Sequence, residues 1–230
     1  MLLLALDTST PAVTVAVAAL EAASPSTPGS GVVVNPLASA SEVAQNRHGE
    51  LLAPMIAGAL ARAGASAADL GAIAVGVGPG PFTGLRVGIV TARAMADALG
   101  LPAYAESSLR LLTRGPAGVV TDARRKQVYW AVVTEHGFEA GPDLAPAEDA
   151  ARRFTTAGVT EVAGQGALLY PEAFQGFHVS ADEAFPNPVT LAHLVAERAS
   201  AGAPADELRP LYLRRPDAKP PGRSKQVTPA

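Results

Sequence analysis

The run Gly76-Val77-Gly78-Pro79-Gly80-Pro81-Phe82-Thr83-Gly84-Leu85-Arg86-Val87-Gly88 places five glycines in thirteen residues, and it constrains the fold more than any other stretch. An apolar run from Ala72 to Val77 precedes it and reads as a buried strand. Beyond it, Leu85, Ile89, Ala92, Ala96 and Leu99 recur on one side of a helix, with Arg86, Arg93 and Asp97 on the other. Glycines in such a strand–loop–helix turn permit backbone approaches that a Cβ would block. The helix N-terminus behind them is a ready site for an anion. The run is not a Walker loop, because the Gly-Lys-Ser/Thr ending is missing. Two readings stay open: an anion cradle using Gly78 and Gly80, or a tight turn that brings a small-faced helix close to its neighbour.

Within the helix, Gly84, Gly88, Ala92 and Ala96 recur every four residues and leave a stripe almost without side chains. Such a ridge admits a second helix at short interaxial distance. That helix is either internal or part of another protein. The segment 50–63 is one candidate, with apolar positions 51, 52, 55, 56, 59, 60 and 63 covering more than one face. An arc so wide implies two surfaces to pack against. Pro54 is tolerated near a helix start at Glu50, where the first N–H groups have no intrahelical acceptor, and Asn46 is a candidate cap.

Hydrophobic residues make up 48% of the 230, enough for one large domain or two lobes, while aromatics are only 5%. The cores are therefore expected to be built from small residues. A net charge of −3 and pI near 5.8 give no electrostatic footprint for gripping nucleic acid. There is no cysteine, so disulfides, thiol catalysis and cysteine metal sites are all excluded. The apolar run Leu2–Leu6 is too short for a signal-peptide core, and no stretch is long enough to span a bilayer. A cytoplasmic protein is expected.

Leu2–Leu6 and Val13–Ala19 read as strands joined by the turn Asp7-Thr8-Ser9-Thr10-Pro11. Residues 21–31, rich in Pro, Ser and Gly, are expected to be a floppy hairpin connection. Gly100-Leu101-Pro102 ends the long helix. Residues 118–133 then repeat the opening plan of strand, acid (Asp122), polar turn and strand. Residues 158–167 echo the strand that runs into a glycine turn. The self-similarity predicts a duplicated sheet-plus-helix unit: an N-terminal α/β lobe over 1–102, a second over 103–215, and a disordered tail over 216–230.

Two facing lobes, each opening strand–acid–hydroxyl turn–strand, form the layout of actin-like, sugar-kinase-like ATPases. The segments 7–10 (Asp-Thr-Ser-Thr), 46–52 (Asn-Arg-His-Gly-Glu-Leu-Leu), 78–88, 122–125 (Asp-Ala-Arg-Arg) and 212–214 (Tyr-Leu-Arg) together resemble the TsaB (YeaZ) family. The likeness spans about residues 1–215, with Pro81 in place of the usual serine. It implies a two-lobed actin-like (ASKHA, ribonuclease H-like) α/β fold. It also implies a non-catalytic subunit that pairs with a TsaD-type catalytic subunit and a TsaE-type ATPase. Together they would transfer a threonylcarbamoyl group to adenosine beside the tRNA anticodon.

On this resemblance the chain carries no catalytic residue, no metal ligand and no cofactor, and it meets tRNA only through the complex. Ser108 and Leu112 stand where the catalytic relative has two histidine ligands, and His48, His136, His178 and His193 are scattered without ligand spacing. The resemblance assigns a partner face to His48, Leu51, Leu52, Met55, Gly84, Gly88, Ala92 and Met95, which would serve a homodimer as well. The competing expectation is an independent ATPase or phosphotransferase with Asp7, Gly78, Gly80 and Asp122 around a nucleotide. Arg124, Arg125 and Lys126 read either as an RNA or acidic-partner contact or as a solvated hairpin tip.

Overall fold

Leu2–Asp7 (β1) is apolar without alternation because both of its faces are covered. Leu4 and Leu6 enter one core, Leu3 and Ala5 another. A computed structural model describes residues 1–23, 31–44 and 46–214. The first strand pairs antiparallel with β2 (Ala12–Ala22), which pairs antiparallel with β3 (Val32–Val43). On its other side β1 runs parallel to β4 (Leu70–Gly76), and β4 to β5 (Ala103–Glu106), so the sheet order is β3-β2-β1-β4-β5. Helices α1 (His48–Arg62) and α2 (Phe82–Leu99) cover one face.

The second sheet repeats this plan strand for strand. It comprises β6 (Ala117–Asp122), β7 (Gln127–Thr134), β8 (Gly137–Pro146), β9 (Glu161–Ala163) and β10 (His178–Ser180), in the order β8-β7-β6-β9-β10. The β6-β7-β8 meander is antiparallel, and β9 and β10 follow parallel to β6. Helices α3 (Ala147–Thr156) and α4 (Gln165–Leu169) belong to this half, with Phe154 and Phe174 filling its core beside Trp130. Duplication is thus visible in the topology.

The chain does not divide cleanly at residue 102. β5 completes the first sheet, and α5 (Pro188–Ser200) returns to cover that sheet's second face with Leu191, Ala192, Val195, Ala196 and Ala199. Asn187 caps α5 by accepting from the backbone of Val189 and Thr190. Residues 203–214 then strap across the molecule. Leu208 enters the first core, the Leu211 amide donates to the Val77 carbonyl, and Leu213 packs on the second core. The expected connection over 21–31 lies largely outside the described residues, and the expected tail over 216–230 lies wholly outside them.

Candidate functional site

The turn after β1 meets the glycine run after β4, and their contact defines the centre of the molecule. Asp7 is wholly buried. Its Oδ1 accepts from the Ser9 amide and hydroxyl, each at 2.7 Å, and its Oδ2 accepts from the Ser108 hydroxyl at 2.5 Å. Burial raises the Asp7 carboxyl above the usual carboxylate range, while these hydrogen bonds and His48 oppose the rise. A Cβ on Gly76 would lie 1.7 Å from Asp7 Oδ2, and one on Gly80 only 2.1 Å from the Ser9 carbonyl. The glycines therefore let β4 and its loop lie directly against the chain's own acid turn. The Gly78 amide, which a phosphate reading would aim at an anion, donates to the Ser108 hydroxyl at 2.9 Å.

The four residues considered for a nucleotide separate accordingly. Gly80 and Asp122 line a cavity of about 180 Å³ with Pro81, Phe82, Arg124, Tyr129, Tyr212 and Arg214, whereas Asp7 and Gly78 do not line it. Asp122 Oδ1 accepts from the Arg124 amide and the Tyr170 hydroxyl, both at 2.9 Å. Ser108 and Leu112 lie on a short 3₁₀ turn, the first bonded to Asp7 and the second buried in the second core. Among the described residues no three His, Cys, Asp or Glu side chains gather as metal ligands.

The small-residue stripe faces inward, which corrects the expectation of an outward groove. Gly84, Gly88, Ala92 and Ala96 are all buried. A Cβ at Gly84 would meet the Thr8 carbonyl at 2.6 Å, and one at Gly88 the Thr8 hydroxyl at 2.5 Å. Thr8 Oγ1 donates to the Gly84 carbonyl and accepts from the Gly88 amide. It bridges the two groups that a regular helical turn joins to each other. The stripe receives the chain's own β1 turn rather than a foreign helix. Leu52 is likewise core.

Of the expected partner-face residues, His48, Leu51, Met55 and Met95 remain half-buried at the outer side. Val87 joins them, and Val90 is 61% exposed, a position the helical pattern alone did not single out. α1 and α2 are in contact, and Leu51, Met55, Val87 and Met95 pack at the margin of the first core. His48 Nε2 lies 2.7 Å from the Thr10 carbonyl, so that nitrogen carries the proton and fixes the start of α1 to the turn after β1. Asn46 does not cap α1. It adopts φ 63°, and Arg47 occupies the cap position without a side-chain capping bond, its guanidinium instead donating to Glu50.

Two sheets of one topology, with helices laid on them and a cavity between the glycine run of the first half and the β6–β7 turn of the second, define a two-lobed α/β protein of the actin-like class. The family profile described as TsaD, tRNA N6-adenosine threonylcarbamoyltransferase, matches residues 34–180. A Mycobacterium tuberculosis protein of uncharacterised role is 41% identical over 222 residues, 94% of this chain and 93% of its own length. The Escherichia coli tRNA threonylcarbamoyladenosine biosynthesis protein TsaB is 30% identical over 145 residues, 57% of this chain and 63% of its own. Among solved structures, YeaZ from Pseudomonas aeruginosa superposes with a TM-score of 0.67 at 28% identity, covering 92% of this chain and 99% of that one. The chain belongs to the TsaB (YeaZ) family of TsaD-like proteins.

Proposed function

We propose that the chain is a non-catalytic accessory subunit of tRNA threonylcarbamoyladenosine formation. It presents the outer face of α1 and α2 to a TsaD-type catalytic subunit, in an assembly served by a TsaE-type ATPase. The observation that carries this reading is the state of the first-lobe turn. Its acid is sealed by Ser9, Ser108 and the glycine run, while Leu51 and Met55 of α1 and Val87 and Met95 of α2 are only half-buried and Val90 of α2 is 61% exposed. Apolar side chains clustered on an open helical face favour association over solvation. The same face suits a second copy of the chain when the partner is absent. Family membership supports the pathway, and the location is cytoplasmic on the same reading. Among the described residues no helix is long and apolar enough to cross a membrane.

Co-expression with the related catalytic subunit, followed by size-exclusion and a threonylcarbamoyl-transfer assay, tests the proposal. A stable heteromer that is required for transfer is expected. Saturable, Mg²⁺-dependent ATP hydrolysis by the purified chain alone would instead make it an independent ATPase and overturn the reading.

A further inference from the structure

We infer that the recess between the two halves of the molecule binds one small oxyanion, a phosphate or carboxylate group, held by Arg214, the Tyr129 hydroxyl and the first turn of α2. The recess is the cavity of about 180 Å³ whose wall is drawn from the start of α2, from the β6–β7 hairpin and from the strap at 212–214. The inference stands apart from the partner face on α1 and α2.

Tyr129 is the residue that points to a ligand. It lines this wall yet is only 5% exposed, and its hydroxyl makes no hydrogen bond with any described residue. A buried phenol ordinarily finds a partner, because a hydroxyl without one forfeits its bonds to water. Burial pushes this hydroxyl above its ordinary value, while the Arg214 charge opposes the rise and the Asp122 charge adds to it. Both charges belong to residues of the same wall, so the hydroxyl stands beside them, protonated and free to donate.

Arg214 supplies the charge. Its guanidinium donates through one nitrogen to Gln127 Oε1, which holds it in place, and it forms no ion pair with a described carboxylate. A guanidinium carries five N–H donors, so an open edge remains for a forked contact with an oxyanion. Asp122 is the one acid of the wall among the described residues, and it is already engaged. Its Oδ1 accepts from the Arg124 amide and the Tyr170 hydroxyl, and its Oδ2 lies 3.7 Å from Arg124 Nε. Two arginines against one aspartate leave a single positive charge in surplus, and it is that of Arg214.

The third contribution is the positive end of α2. This helix runs 18 residues from Phe82, opens on the recess through Gly80, Pro81 and Phe82, and has no side-chain cap. Its leading amides therefore bring an unmatched partial positive charge to the same place. Volume sets the size of the guest. Pockets for drug-sized ligands and cofactors start at about 300 Å³, so this recess suits an oxyanion or a metabolite little larger, not a whole nucleotide. The donors set its charge, since a neutral or cationic guest would leave Arg214 uncompensated.

Isothermal titration of the full chain with inorganic phosphate, and separately with acetate, tests the inference at constant ionic strength made up with chloride, with thermal melts alongside. Saturable binding of phosphate alone identifies a phosphoryl ligand, and of acetate alone a carboxylate; binding of both identifies a general oxyanion site. Each of these supports the inference, and the bound anion should raise the melting temperature. Tyr129→Phe is expected to weaken binding about tenfold or more. Because the hydroxyl has no partner to lose, the same variant should melt at or above the wild-type temperature when no anion is present. Arg214→Gln is expected to weaken binding about 10- to 150-fold.

A wild-type chain that binds neither anion, or a Tyr129→Phe chain that binds as tightly as wild type, would overturn the inference. So would a Tyr129→Phe chain that melts well below wild type without anion, because its hydroxyl would then be bonded within the protein.

Discussion

At the residue scale, Asp7 holds the centre together through Ser9 and Ser108, and its burial has a pH signature. Its carboxyl sits above 3.8 in the folded chain because desolvation penalises the charged form. The folded state then keeps a proton that the unfolded state has released, so stability falls as pH rises from the ordinary value through the raised one. Asp7→Asn keeps the oxygen that accepts from Ser9 and removes the charge. Thermal melts across pH should show the wild-type decline and a flatter profile for the variant; an unchanged profile would show that Asp7 does not titrate in that window. Ser108→Ala leaves Oδ2 and the Gly78 amide without their shared partner, and is expected to cost about 1–3 kcal/mol in denaturant unfolding.

The secondary-structure elements carry the sharpest contrast between what was expected and what was found. The amphipathic pattern of α2 was legible from residue spacing, and so was the strand–glycine–helix unit that delivers it. Which neighbour the small stripe meets was not, because a groove of glycine and alanine is equally suited to a foreign helix or to the chain's own turn. Thr8 decides the matter by filling it. Gly88→Ala should therefore destabilise the chain by about 1–3 kcal/mol through overpacking against Thr8 and Leu6. Val90→Glu, one helical face away and exposed, should leave the melting temperature nearly unchanged yet abolish co-purification with the catalytic subunit. Retained pairing in Val90→Glu would move the partner surface off α2.

Other elements hid for related reasons. β3 runs twelve residues past an interior proline because it is an edge strand, where a missing N–H faces no neighbour. In α3 the buried face consists of alanines and Phe154, so its apolar content is low even though its charged residues segregate to the other side.

For the whole molecule, the strap over 203–214 ties the two sheets together. Asp206 accepts from the Ala105 amide at 2.9 Å and from Arg198 at 2.7 Å, Leu208 is buried in the first core, and Leu213 packs on the second. A chain ending after residue 202 should melt several degrees lower, and calorimetry should resolve two transitions where the full chain shows one. A single transition at the original temperature would show that the sheets are coupled without the strap. The sequence by itself determined the duplicated strand–acid–strand plan, the glycine run that admits a close neighbour, and the family, since each is written in local spacing and in residue types with few substitutes. Only the tertiary structure decided that the stripe faces inward, that Asp7 is sealed rather than open, and that α5 crosses back to the first sheet. Those outcomes depend on which distant surfaces meet, and burial of apolar area is indifferent to the order in which its parts occur along the chain.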